Sequence, residues 1–210
     1  MASERKRLKA PQRRAIIVSA ALGEFARSGY EGTSMDAIAA ASGISKPVLY
    51  DHFPSKQKLF VAALETVRDA LLVKGREAAR LPADDELRFR SAIESFFSFV
   101  GANPDAIRVL LLVPHGSPQS LAASRTVQKG ASAAIAELLR PVLRGQRSAD
   151  IEAVAEFLKR SMHVLAEWWL DHPKISVSHM TELCMTLCWS GVGGLTAKGA
   201  KTTTERQLRK

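Results

Sequence analysis

Cysteine is scarce in this chain: 210 residues hold two, Cys184 and Cys188. Two thiols cannot build a disulfide scaffold, and they fit a reducing compartment. Membrane-spanning runs are missing as well. The uncharged stretch Leu183 to Ala197 is broken by Gly191, Gly193 and Gly194 and falls short of the ~18–20 apolar residues a span requires. The basic residues Arg5, Lys6, Arg7 and Lys9 have no apolar stretch behind them, so no secretory signal is expected there. A soluble cytoplasmic protein is the expectation. Catalytic signatures are absent too, because no serine, histidine or acid sits in a recognisable nucleophile motif. Gly191-Val-Gly-Gly194 has no strand before it and reads as close helix approach, not as a nucleotide loop. An enzyme is therefore not expected. Acids are the minority charge, 21 against 30 Lys and Arg, giving +9 and a pI near 9.9, which favours a polyanionic partner.

What is present is helical periodicity, punctuated by proline and glycine, with no period-two alternation and no internal repeat. The first helix is expected from about Pro11 to Ser28, with Ile17, Ala21 and Phe25 on one stripe. Two short helices follow, and a long fourth begins at Ser55 and fades before Leu81-Pro82. Further helices are expected near 84–101, 104–113, 118–144, 149–171 and 175–195. The fold class is all-α. The organisation expected is a basic arm at 1–10, a three-helix DNA-binding domain with a helix-turn-helix at 11–54, a helical sensor and dimerisation domain at 55–197, and a basic disordered tail at 198–210.

The stretch Thr33 to Lys56 carries the argument. Thr33 can cap a short helix, with Asp36 three residues on completing a capping-box pattern. Gly43 stands where that helix must stop. Ser45 recaps, and Pro47 falls in the first turn of the next helix, where its missing N–H costs nothing. Such a pair is a helix-turn-helix, whose second helix enters the major groove. Ser45, Lys46, Pro47 and Val48 open that helix; Lys46 is placed to reach guanine O6/N7 and Val48 a thymine methyl. Lys46, Lys56 and Lys58 all lie in or near a first helical turn, where the macrodipole disfavours cations unless a phosphate sits there. Arg13 and Arg14, at the start of the first helix, are further phosphate candidates. The arm before them suits a minor groove, or equally a solvated tail.

The run Gly29-Tyr30-Glu31-Gly32-Thr33-Ser34-Met35-Asp36-Ala37-Ile38-Ala39, followed by Gly43-Ile44-Ser45-Lys46-Pro47-Val48-Leu49-Tyr50-Asp51-His52-Phe53-Pro54-Ser55-Lys56-Gln57-Lys58-Leu59-Phe60, resembles the tetracycline-repressor (TetR) family over roughly residues 11–62. The Leu-Tyr-x-His-Phe-x-x-Lys segment, at its spacing after Gly-Ile-Ser, makes the resemblance specific. It implies an all-α homodimer with an operator-binding N-terminal domain and a C-terminal half holding an effector pocket and the dimer interface. It also implies backbone phosphate contacts from Tyr50, His52 and Lys56, and from Thr33 or Ser34. Tyr50 alternatively packs in the small core, and His52 alternatively is a solvated turn residue. Asp36 departs from the family, where many relatives carry a basic or polar residue that reaches DNA, and it is assigned to capping.

In the C-terminal half, Ile151, Val154, Leu158, Ser161, Leu165 and Trp168 follow the spacing of a bundle seam. The next helix is apolar nearly all round, and a second subunit is expected to cover it. The interface set is Val154, Leu158, Ser161, Leu165, Trp168, Leu183 and Leu187. Pocket candidates are Phe96, Phe99, Leu112, His115, Met162, His163, Glu167 and Trp168, suited to a bulky apolar ligand. The expected function is a homodimeric, ligand-responsive transcriptional regulator. As a repressor it would bind a pseudo-palindromic double-stranded operator and be released by a small apolar effector, with no cofactor and no resident metal. Two rivals stand beside it. One is a metal- or thiol-responsive sensor using Cys184 and Cys188, with His172 and His179 nearby; the other is an architectural DNA-binding dimer without ligand response.

Overall fold

The computed structural model describes residues 9–111 and 118–189, and every regular element among them is helical. In chain order these are α1 (Ala10–Gly32), α2 (Met35–Ser42), α3 (Lys46–His52), α4 (Lys56–Ala79), α5 (Asp85–Ala102), α6 (Pro104–Leu111), α7 (Pro118–Leu139), α8 (Ser148–Leu170) and α9 (Val177–Cys184), with a π turn over Met185–Trp189. No described helix is long and apolar enough to cross a membrane. The basic arm up to Leu8, Leu112, His115, the glycine-rich 191–194 segment and the basic tail lie outside the described residues.

The described chain forms two compact units, one running to Val67 and taking in Asp105 to Val127, the other holding Arg68–Pro104 and the chain from Gln128. In the first unit, α1 buries Ile17, Val18, Ala21 and Phe25, one stripe at helical spacing. The Phe25 and Phe60 rings meet edge to face at 5.0 Å, and Tyr30 meets Phe60 at 4.9 Å. α2 contributes Met35, Ile38 and Ala39; α4 contributes Leu59, Phe60, Ala63, Leu64 and Val67. Regular helix ends where expected, at Ser28, because Gly29 adopts φ 67° and ψ 176°, a conformation closed to residues with a Cβ.

In the second unit, α5 buries Ile93, Phe97 and Val100. Phe97 meets Trp169 edge to face at 5.6 Å, and the Trp169 indole N–H donates to Ile175 O at 2.8 Å. A side-chain carbon at Gly101 would lie 3.2 Å from the Trp169 ring, so glycine permits the close approach. Ala136, Leu139, Leu143, Ile151, Ala155, Leu158 and Cys188 form a continuous apolar cluster, with Val154 packed against it. α9 packs along α5 of its own chain and buries Met180, Thr181 and Cys184. Among the described residues of this segment, Met180, Cys184, Met185 and Cys188 are buried within the protomer, while Leu187 is 61 % exposed.

Candidate nucleic-acid interface

The turn between α2 and α3 follows from three local choices. Ser34 caps α2, its hydroxyl accepting from the Ala37 N–H at 3.1 Å. Gly43 closes the helix at φ 65°, ψ 18°, where a left-handed conformation favours glycine. The Ile44 N–H then donates back to Ala39 O at 3.3 Å, satisfying a terminal carbonyl. α3 begins after Ser45 with Pro47 in its first turn, and Leu49 is its one fully buried side chain, followed by Phe53 just past its end. A seven-residue helix has no stability of its own, so these two anchors on the domain core hold it in place. The rest of its surface faces outward.

On that outer face the side chains sort into three groups. Ser45, Pro47 and Tyr50 are exposed; the Ser45 hydroxyl makes no capping bond, and Tyr50 is 41 % exposed. Val48 and His52 are half-buried, and His52 lies in the last turn of α3, the end that favours a cation. Ser34 is exposed at the start of α2, though its hydroxyl already serves the cap.

Lys46 is exposed and joined to Asp36, its ammonium 2.7 Å from one carboxylate oxygen and 3.0 Å from the other. The hydrogen bond and charge of Asp36 raise the Lys46 pKa. Asp36 thus bridges α2 to α3 and does not form the capping box assigned to it; the cap register is one residue later than expected, with Ser34 in place of Thr33. The physical reason is burial. Met35 and Ile38 must face the core, which turns Thr33 inward to 3 % exposure. Its hydroxyl donates to Gly29 O at 2.7 Å and to Glu24 O at 3.1 Å, so Thr33 is a lock on the end of α1 and is corrected as a DNA contact.

Lys56 is likewise engaged within the chain. Its ammonium donates to the carbonyls of Tyr30 at 2.8 Å, Thr33 at 3.0 Å and Glu31 at 3.4 Å, and lies 4.5 Å from the centre of the Tyr30 ring. A cation at the carbonyl end of α1 is favoured by the dipole of that helix. The charge-misplacement argument for DNA therefore fails for two of its three lysines: Asp36 compensates Lys46, and α1 compensates Lys56. Among the flanking arginines, Arg14 is exposed, its guanidinium 4.6 Å from the Phe53 ring centre. Arg13 is half-buried, and its Nε has no hydrogen-bond partner among the described residues.

The sensor candidates are less concentrated. Phe96 and Phe99 on α5 and Met162 and His163 on α8 are half-buried, while Glu167 and Trp168 stand exposed. Trp168 instead stacks on the His172 ring at 4.0 Å. Burial, reinforced by the Lys159 charge, lowers the His163 pKa to about 4, so its ring is neutral at pH 7. Lys159 itself is 6 % exposed and donates to Gln128 O, to Ser132 Oγ at 2.6 Å and to Glu156 Oε2 at 2.8 Å. Bonds from Lys159 and Ser132 hold the Glu156 carboxyl at about 2.

The seam expected on α8 is partly buried within the protomer and partly exposed. Leu158 lies in the protomer's own apolar cluster and Val154 packs on it, while Ser161, Leu165 and Leu183 are half-buried. Of the expected set, Trp168 (45 % exposed) and Leu187 (61 %, on the π turn) stand exposed; beside them Phe157 (61 %) and Val164 (64 %), each one residue before Leu158 and Leu165, carry the rest of the exposed apolar surface. Periodicity alone cannot separate two adjacent apolar rows of one helix. His172 and His179 are both exposed, and no group of three His, Cys, Asp or Glu side chains gathers among the described residues, so the nitrogen-containing metal set is not assembled.

Residues 17–63 match the family model described as bacterial regulatory proteins, tetR family. The chain is 30 % identical over 193 residues to the HTH-type transcriptional activator FasR of Mycolicibacterium smegmatis, covering 89 % of this chain and 85 % of FasR. The crystal structure of a TetR-like transcriptional regulator from Rhodococcus sp. RHA1 superposes with a TM-score of 0.73 at 29 % identity, over 90 % of this chain and all of that one. The fatty acid degradation regulator FadR from Bacillus halodurans shares the fold, with a TM-score of 0.75 at 18 % identity over 90 % of this chain and 98 % of its own.

Proposed function

The chain belongs to the tetR family of bacterial regulatory proteins, and from that premise we propose that it acts in the cytoplasm as a homodimeric, ligand-responsive regulator of transcription on an inverted-repeat operator. The observation that carries this reading is the outer face of α3. Ser45, Pro47 and Tyr50 stand exposed, with Lys46 beside them, on a helix anchored only through Leu49 and Phe53. Ser45 and Tyr50 supply neutral donors for phosphate oxygens, Val48 an apolar contact for a thymine methyl, Arg14 positive charge at the edge and His52 a ring nitrogen able to hydrogen-bond. Two copies related by a two-fold axis would read half-sites about 34–36 Å apart.

Dimerisation is supported by the exposed stripe Phe157, Val164 and Trp168, which a second copy would cover. For an effector, the half-buried Phe96, Phe99 and Met162 together with neutral His163 suit a bulky, largely apolar molecule. Because α4 contributes residues to both compact units, it is the element through which effector binding would change operator affinity, by a typical factor of about 5–150. Repression follows when the operator overlaps a promoter. A second reading, activation, is favoured by the name of FasR, the relative at 30 % identity. Selection of randomised duplex DNA by the purified chain at near-physiological salt tests the proposal. Recovery of an inverted repeat supports it, whereas unselected sequence bound by folded protein argues for an architectural binder. Transcription from a template bearing the recovered site then distinguishes repression from activation.

A further inference from the structure

The Asp36 carboxylate on α2 and the Lys46 ammonium on α3 lie ten residues apart in the chain and meet at 2.7 Å through one carboxylate oxygen and 3.0 Å through the other. The ammonium therefore straddles the carboxylate. Two of its three N–H groups are spent on Asp36 and one is left, while the carboxylate oxygens keep lone pairs of their own. Both side chains are open to solvent, at 55 % for Lys46 and 65 % for Asp36. Together they present a donor and an acceptor side by side, in a set order, with no net charge between them.

The pair is not needed to hold the two helices together. Gly43 turns the chain, the Ile44 N–H closes on Ala39 O, and Ile38, Ala39 and Leu49 are buried. An exposed ion pair adds little to a fold, because water screens it and two side chains lose freedom in making it. Nor does the pair suit phosphates, since the carboxylate repels them and cancels the charge that Lys46 would bring. A neighbouring donor and acceptor do match the major-groove edge of a base pair.

We propose that Asp36 and Lys46 act as one unit that reads a single G·C pair in each half-site, Lys46 donating to guanine and Asp36 accepting from the cytosine N4 amino group. This rests on the operator-binding reading above and adds to it the identity of one base pair. Across the major groove, G·C presents the guanine N7 and O6 acceptors and then the N4 donor, whereas T·A presents a methyl, the O4 acceptor, the N6 donor and the adenine N7 acceptor. The central acceptor and donor are common to both, so the flanks decide. Beside the ammonium, guanine N7 adds an acceptor where thymine has its methyl. Beside the carboxylate, cytosine has no acceptor where adenine N7 would repel. C·G and A·T present donor and acceptor in the opposite order, which sets the ammonium against an amino group.

The test is selection of randomised duplexes by the full-length chain, then competition between duplexes that differ at one base pair. The expected wild-type product is an inverted repeat with one G·C pair per half-site whose preference depends on both residues. Lys46→Ala and Asp36→Ala should each lower the preference for G·C over T·A there by about 5- to 150-fold, the range of one good base contact. The double variant should lose little more than either single one, because the two residues act together. The exchanged variant, Asp36→Lys with Lys46→Asp, reverses donor and acceptor and should invert the preference to C·G, with circular dichroism confirming helix content. A mere brace between the helices would leave the preferred base pair unchanged by the exchange, and that result overturns the proposal. A preference lost in Lys46→Ala but kept in Asp36→Ala also overturns it, since Lys46 then reads its base unaided. An inverted repeat identical in every variant overturns the paired readout alone; binding with no selected sequence overturns both it and the operator reading.

Discussion

α3 and α8 both leave part of their surface uncovered, and the difference between the two uncovered faces separates their tasks. α3 spans seven residues, is anchored by Leu49 and Phe53, and shows solvent a hydroxyl, a phenol and a charge pair. α8 spans 23 residues and is anchored by Ile151, Ala155, Leu158, Ala166 and Trp169, yet it shows solvent Phe157, Val164 and Trp168. A polar face on a weakly held helix suits a hydrated, charged partner, because phosphate contacts gain little from apolar area. An apolar face on a firmly held helix suits a partner that removes it from water.

The sharpest way to break this comparison is to place a charge on the apolar face. Phe157→Asp is expected to yield monomers in analytical ultracentrifugation and to lower operator affinity about 10²–10⁴-fold, because the two heads then bind without avidity. An intact dimer would move the interface elsewhere. Acid stability comes next. His163 is neutral in the fold and its pKa is lowered to about 4, so the unfolded chain binds the extra proton first as pH falls. Stability contributed by the neutral ring is complete above the unfolded value near 6.5 and falls away between about 6.5 and 4, by up to about 3 kcal/mol. His163→Gln should flatten that limb of a urea-unfolding series; an unchanged limb would assign the loss to other groups. Glu156 acts in a lower window, its contribution fading as pH drops from about 4.5 towards 2.

Smaller effects separate the roles within the DNA-binding unit. Lys56→Ala removes a cation bonded to three carbonyls and should cost about 1.5–3 kcal/mol of stability, read as a lowered urea midpoint, while the salt slope of DNA binding stays the same. A flattened slope would restore Lys56 to the phosphate set. Tyr50→Phe should weaken all DNA sequences alike by about 0.5–1.5 kcal/mol, the loss expected of a phenol proposed to donate to a phosphate oxygen. A change in sequence preference would instead place it at a base edge. Asp36→Ala should alter stability by no more than about 1 kcal/mol, because the pair it breaks is exposed. The same substitution releases Lys46 and should change base preference in a repeated selection; an identical consensus would show that Lys46 reads no base.

The helix-turn-helix was legible because its signals are local. Gly43 ends α2 through its own backbone freedom, Pro47 starts α3, and Leu49 with Phe53 are spaced to anchor it. What local signals could not supply was which of two adjacent candidates takes a role. Thr33 and Ser34 are equally good caps, and the choice fell to Ser34 only because Met35 and Ile38 had to be buried. Lys56 looked like a phosphate ligand until the end of α1, more than twenty residues earlier, arrived beside it. On α8, the rows through Leu158 and Phe157 differ by one residue, and only packing against α7 residues Ala136 and Leu139 chose between them.

The sequence by itself determined the helical class, the position of the turn, the basic balance and the absence of a disulfide framework, since each depends on residue type or on spacing within a turn or two. Tertiary structure alone decided the partners of Thr33, Lys46 and Lys56 and the outward row of α8. These are contacts between residues distant along the chain, and which of them form is set by how several helices bury their apolar faces at once.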